Sequence, residues 1–178
     1  MVSNEQINVI KRNGRGKESL NIDKIHSMVG FATEGITGVS ASHVEMNSGL
    51  QFFDGISTED IQQILIKSAN DLISLESPNY QYVAARLLLF SLRKSLHHRL
   101  WEHPKFITHI KKLVDLGLYD KGILDNYTEA EIDRMGMWID HERDYSFTYA
   151  GLRQVMDKYL VQDRSTGEIF ETPQFMYM

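Results

Sequence analysis

Cysteine is absent from all 178 residues. A chain without thiols builds no disulfide framework, offers no thiolate to a metal and performs no thiol chemistry of its own. No run approaches the roughly eighteen consecutive apolar residues of a membrane span. The first residues lack the basic-then-apolar pattern of a secretion leader, so the expected location is the cytoplasm. Blocks of like charge are missing too. The 19 Lys and Arg are interspersed among 24 acids, for a net charge of −5. An extended nucleic-acid backbone is therefore not the expected partner, although a local cluster of lysines suits one small polyanion. Neither an internal repeat nor a low-complexity tract is present. What remains, 42% hydrophobic and 24% charged residues, suits one or two small domains with a real core.

The chain is organised around Val9-Ile10-Lys11-Arg12-Asn13-Gly14 and its continuation, Glu18-Ser19-Leu20-Asn21-Ile22-Asp23-Lys24-Ile25. Ile7 to Arg12 reads as a short strand, Asn13-Gly14 as a turn and Glu18 to Leu20 as a second strand, together a hairpin. Asn21 is a good N-cap for a helix in which Ile22, Ile25, Val29 and Ala32 recur at helical spacing until Gly35. Basic side chains beside a helix N-terminus suit phosphate, because the free N–H groups and partial positive charge there favour an anion.

Three more helices are expected in the first half. Ser40 and Ser42 open one, with Val44, Leu50 and Phe53 apolar and Asp54-Gly55 closing it. Ser57 or Thr58 caps the next, lined by Ile61, Leu65, Ala69 and Leu72 and widened by Ile64. Pro78 stands in the first turn of the fourth, which Tyr82, Ala85, Leu89 and Leu92 carry inward to about Leu96.

After a break between His97 and Pro104, Phe106, Ile110 and Leu113 make a helix that Gly117 ends, and Lys121 to Asn126 reads as a single turn. Thr128-Glu129-Ala130-Glu131 is a capping box, and a last helix is expected over 147–159. Tyr159–Gln162, Asp163–Gly167 and Glu168–Glu171 then read as strand, turn and strand. The apolar end, Phe170 to Met178, is expected to dock onto a second polypeptide, as if another domain began there. Seven histidines raise the question of a metal. His97, His98 and His103 lack a well-spaced carboxylate, and His109 and His141 fall where capping or surface roles are commoner, so no protein-held metal is expected.

Three stretches in order, the hairpin with its helix, Asp54-Gly55-Ile56-Ser57-Thr58-Glu59-Asp60-Ile61 and Tyr80-Gln81-Tyr82-Val83-Ala84-Ala85-Arg86, resemble the ATP-cone, the nucleotide-binding regulatory domain at the N-terminus of the large (alpha) subunit of ribonucleotide reductase. The resemblance continues, in its class I form, through Lys112 to Asp120, Asp140 to Asp144 with Phe147-Thr148-Tyr149, and Lys158 to Gln162. It implies an α+β, mostly helical fold. Residues 7–97 would be a four-helix bundle under a small β-sheet; 98–178 would be a helical region with a C-terminal β-hairpin that ends before the catalytic barrel.

The resemblance also implies a site for ATP or dATP, accompanied by Mg²⁺. Lys11, Lys24 and Lys94 would meet phosphate oxygens, with the Thr58 hydroxyl beside the free N–H groups of its helix. Glu18 and Asn21 would read the base and ribose edge; Val9, Ile25 and Ile61 would sandwich the purine, with Arg12 at the rim. Read without the family, the same lysines are solvated surface groups, and Asn21 and Thr58 are plain helix caps. Two departures stand out, Gln62 and Ser91 where members commonly carry His, and the hairpin loop is one residue longer. One nucleotide is therefore expected rather than two.

Reduction in this family uses a thiyl radical and a cysteine pair, so no catalytic residue is expected here. The barrel would come from another polypeptide, and the radical-generating small (beta) subunit is a further expected partner. A stand-alone nucleotide-sensing regulator and a helical fragment that no longer binds nucleotide are the alternative readings.

Overall fold

A computed structural model describes residues 7–11, 16–49, 51–97 and 100–178. Arg12 and the Asn13-Gly14 turn lie outside the described residues, as does His98. The chain forms two compact units: residues up to Leu88 with Thr148–Ala150, and Leu89–Phe147 with Gly151–Met178.

In the first unit, β1 (Asn8–Ile10) is the middle strand of a three-stranded sheet, with β2 (Lys17–Ser19) antiparallel on one side and β3 (Ile56–Ser57) parallel on the other. Between them run α1 (Ile22–Thr33) and α2 (Ala41–Gly49), followed by α3 (Thr58–Asp71) and the start of α4 (Tyr80–His97). The sheet's buried face is set by Val9 and Ile56, which are paired in the ladder. Helix α1 buries Ile25, Val29 and Ala32, three positions at helical spacing, whereas Ile22 in its first turn stays exposed. On α3 the inward stripe is Ile61, Leu65, Ile66 and Ala69, so Ile66 rather than Ile64 widens it. The fold is α+β and mostly helical, as the family resemblance implies.

Several expectations are narrowed or shifted. Of the two candidate caps of α3, Ser57 is the one used: its hydroxyl accepts from the Asp60 amide at 2.9 Å. Phe53 is 60% exposed, and Ile56 fills the core instead, because β3 pairing turns Ile56 inward. Helix α4 begins two residues after Pro78, which closes a turn by accepting from the Gln81 amide at 3.2 Å. Tyr80, buried at the head of α4, accepts through its hydroxyl oxygen from the Ser40 amide at α2's entry, at 3.0 Å.

The second unit contains the rest of α4, α5 (Phe106–Asp115), α6 (Gly122–Asn126), α7 (Glu129–Gly136), a 3-10 helix at His141–Ser146, most of α8 (Tyr149–Lys158), the hairpin of β4 (Gln162–Asp163) and β5 (Glu168–Ile169), and α9 (Pro173–Met176). Phe106, Ile107, Ile110, Ile132 and Phe175 form its core. The capping box at Thr128 is complete in both directions. The expected strands are longer than the observed ones, and the C-terminal segment behaves otherwise than expected. Glu171, Thr172, Pro173 and Phe175 are buried within the unit, the Phe175 ring stacking on His109 at 4.2 Å. The apolar end packs on its own chain; Tyr177 and Met178 remain exposed. His109 is likewise a buried core side chain rather than a surface one, since it lies on the α5 face that carries Phe106, Ile110 and Leu113.

Gly136 ends α7 against this core. A Cβ there would stand 2.9 Å from the Phe106 Cβ, an atom close to the backbone that cannot rotate away. Gly136→Ala is expected to destabilise the second unit by about 1–3 kcal/mol, despite alanine's better helix propensity. A thermal melt no lower than that of the parent chain would contradict this.

Candidate functional site

The sheet register gathers the sequence-picked residues of the first unit. Val9 stands opposite Glu18, and directly opposed residues project to one face, so the Glu18 side chain lies on the sheet face that Val9 buries, at the outer strand. Lys11 directly follows β1, and its Nζ meets Glu18 Oε2 at 3.0 Å. Lys24, in the first turns of α1, meets the other oxygen, Glu18 Oε1, at 3.7 Å. One carboxylate thus joins the end of β1 to the start of α1. Hydrogen bonding from Lys11 is the main cause that holds the Glu18 carboxyl below the usual carboxylate range.

Asn21 caps α1: its Oδ1 accepts from the Lys24 amide at 3.0 Å, with extended backbone at φ −101° and ψ 102°. The cap and the Lys24 ion pair fix that residue at both backbone and side chain. Thr58 is the first residue of α3 and is half-buried. Ile10 pairs with Ser57 in the parallel ladder, so Lys11 and Thr58 leave the sheet side by side. Lys11 therefore stands beside the N-terminal end of α3, which carries partial positive charge. Val9, Ile25 and Ile61 are all buried in this unit's core. Lys94 is exposed on α4 and belongs to the second unit.

Further polar side chains brace this unit. Asp54 accepts from the Asn8 amide at 2.8 Å and from Asn8 Nδ2 at 3.1 Å, and Gly55, at φ +84°, donates its amide to the Asn8 carbonyl at 2.8 Å. These bonds tie the turn before β3 to the start of β1 and hold the Asp54 carboxyl below its usual range, the Asn8 amide being the main cause. The Asp-Gly pair, readable as a helix stop, is in fact the turn that sets the parallel register. Gln62 is 2% exposed, and its Nε2 donates to the Leu87 carbonyl on α4 at 2.9 Å. Its amide clamps α3 to α4. Arg86 does similar work for α1, donating to the Glu34 carbonyl at 2.6 Å beyond that helix's end.

In the second unit a buried carboxylate accepts two hydrogen bonds. Glu171 accepts from the Tyr119 hydroxyl and from the Val161 amide, the latter at 2.7 Å. His103 and His141 stack at 3.6 Å between ring centroids beside the Phe106 and Phe175 rings, in an open groove of 720 Å³. Among the described residues, no group of three His, Asp or Glu is placed to hold a metal ion. No helix of the described residues is long and apolar enough to cross a membrane.

Comparison with known proteins gives a family match to the ATP cone domain over residues 7–95. The chain is 48% identical over 175 residues to the ribonucleoside-diphosphate reductase 1 subunit alpha of Escherichia coli (strain K12), a match covering 98% of this chain and 23% of that protein. It is 49% identical to the ribonucleoside-diphosphate reductase subunit alpha of Haemophilus influenzae over the same shares. To the corresponding subunit of Enterobacteria phage T4 it is 45% identical, across 97% of this chain and 22% of that one. The chain spans less than a quarter of the length of the curated relatives it matches.

Proposed function

Since the chain belongs to the ATP-cone family and matches the N-terminal region of ribonucleoside-diphosphate reductase alpha subunits, we propose that it is the allosteric, ATP- or dATP-sensing portion of such a reductase. The observation that best supports the reading is the joining of Lys11 and Lys24 through Glu18 at the N-terminal end of α1. Two ammonium groups held on one carboxylate, with Lys11 leaving the sheet beside Thr58, suit the phosphate chain of a nucleotide in charge.

In this proposal Lys11, Lys24 and Lys94 take phosphate oxygens and Thr58 adds its hydroxyl. Glu18 and Asn21 face the base and ribose; Val9, Ile25 and Ile61 form the apolar wall, with Arg12 at the rim. Mg²⁺ arrives with the phosphates. Because Gln62 already bonds the Leu87 carbonyl, its amide is not turned to a ligand, which favours one bound nucleotide over two. The nucleotide would bias two arrangements of the assembled reductase. Such coupling is typically about 1–3 kcal/mol and is reciprocal, so the assembled form would in turn bind nucleotide more tightly or more weakly than the other. These 178 residues hold no cysteine, so the thiyl radical and the reducing pair belong to the reductase's barrel and not to this region. We assign the barrel-bearing polypeptide and the radical-generating beta subunit as partners, in the cytoplasm, in the supply of deoxyribonucleotides for DNA synthesis.

Calorimetric titration of the chain with ATP and dATP tests the site. Micromolar binding is expected, with at least about a tenfold loss in Lys11→Ala and in Lys94→Ala, as each removes a charge-assisted hydrogen bond. A folded chain that binds neither nucleotide would overturn the sensor and leave a structural fragment.

A further inference from the structure

Glu18 has an unusual place among cations. Each of its oxygens faces a different lysine, Oε2 toward Lys11 and Oε1 toward Lys24, and the ladder pairing with Val9 fixes the backbone that carries it. Its side chain is 34% exposed, against 49% and 69% for the two lysines, so the carboxylate is the inner member of the cluster. It occupies the space between the two ammonium groups.

An incoming polyanion that takes both lysines has to displace this internal counter-ion. A bare polyphosphate then leaves the carboxylate without its cations and beside new negative charge. A nucleoside triphosphate brings the same phosphates together with ribose hydroxyls and, in adenine, an amino group, all of them donors that a displaced carboxylate accepts. Repulsion of the wrong ligand, rather than added attraction for the right one, is a common source of specificity.

We infer that Glu18 is a specificity-determining residue, making the lysine cluster accept nucleoside triphosphates and refuse inorganic polyphosphates. This rests on the proposed reading of Lys11 and Lys24 as phosphate ligands. The lowered pKa of Glu18 keeps the counter-ion charged at neutral pH.

The test is titration of the chain with ATP and with inorganic tripolyphosphate, in parallel for the parent, Glu18→Gln and Asp23→Asn. Asp23 lies exposed in the first turn of α1, so its variant removes the same unit of charge without touching the cluster. In Glu18→Gln, tripolyphosphate should bind about fivefold more tightly, the scale of releasing two exposed ion pairs, while ATP gains nothing or weakens. The ratio of the two affinities should be unchanged in Asp23→Asn. An unchanged ratio in a folded Glu18→Gln, or an equal shift in Asp23→Asn, overturns the inference while ATP binding lost in Lys11→Ala keeps the sensor reading. A parent chain that binds no ATP overturns both.

Discussion

Arg93→Ala is expected to cost the second unit about 3–5 kcal/mol, the range for stranding half of a buried ion pair, and to lower its melting midpoint by more than about 10 °C. Arg93 is 3% exposed and its partner Asp144 not at all, with Nη2 to Oδ2 at 3.4 Å. The guanidinium also donates to the His141 carbonyl at 2.6 Å and the Tyr145 hydroxyl at 2.9 Å, so it holds α4 to both ends of the 3-10 helix. Gln174 of α9 donates to the other Asp144 oxygen at 2.9 Å. Truncating Arg93 therefore leaves a carboxylate in the interior with one amide donor.

Burial pushes the Asp144 carboxyl above its usual range, against the opposing pull of Gln174 and Arg93, so desolvation outweighs attraction at this pair. The pair as a whole then contributes little, and an Arg93→Met, Asp144→Leu double variant should regain most of the loss. Arg93→Lys should fall between, since an ammonium cannot reach three acceptors at once. Fluorescence is a suitable readout, because Trp101 and Trp138, the two tryptophans of the chain, both lie in the second unit. An Arg93→Ala melt within about a degree of the parent would refute the expectation.

How much of this was legible depends on whether the determining contact is local. Asn21, Ser57 and Thr128 could be read as caps because the bond that defines a cap closes over three residues. Helices α1, α3 and α5 announce themselves by spacing. The Lys11, Glu18 and Lys24 cluster was also within reach, since a tight hairpin and a capped helix bring these residues together. By contrast, the ion pair of Arg93 and Asp144 spans 51 positions, and nothing near either residue signals the other. Phe53 and Ile56 look interchangeable in a pattern of apolar residues, and only the pairing of β3 with β1 decides which one is buried. The final segment was misread for a similar reason. Glu171 and Phe175 look like parts of an unpartnered end until Tyr119 and His109, more than fifty residues earlier, are seen to receive them.

Acidification should unfold the second unit by way of its buried imidazoles. Burial lowers His109 to about 4, His141 to about 4 and His103 to about 3, in each case ahead of repulsion from neighbouring cations. In the unfolded chain these rings return to the ordinary value near 6.5, so between roughly pH 6.5 and 4 the unfolded state binds more protons. Stability is then complete above about pH 6.5 and falls as the pH drops toward the folded-state values. His109 is the clearest case, being 3% exposed and stacked on Phe175 at 4.2 Å, with Tyr119 edge-on at 5.9 Å. Within the window it should contribute a slope of up to about 1.4 kcal/mol per pH unit, and His103 and His141 add slopes of the same sign. Urea titrations at pH 7.5, 6.0 and 4.5, followed by tryptophan fluorescence, should show a steep decline in the parent chain. In His109→Leu the decline should lessen by about one proton's worth, because leucine fills much of the same apolar site without a titrating ring. A parent whose stability is flat across that range would mean that these rings take up protons without leaving the core.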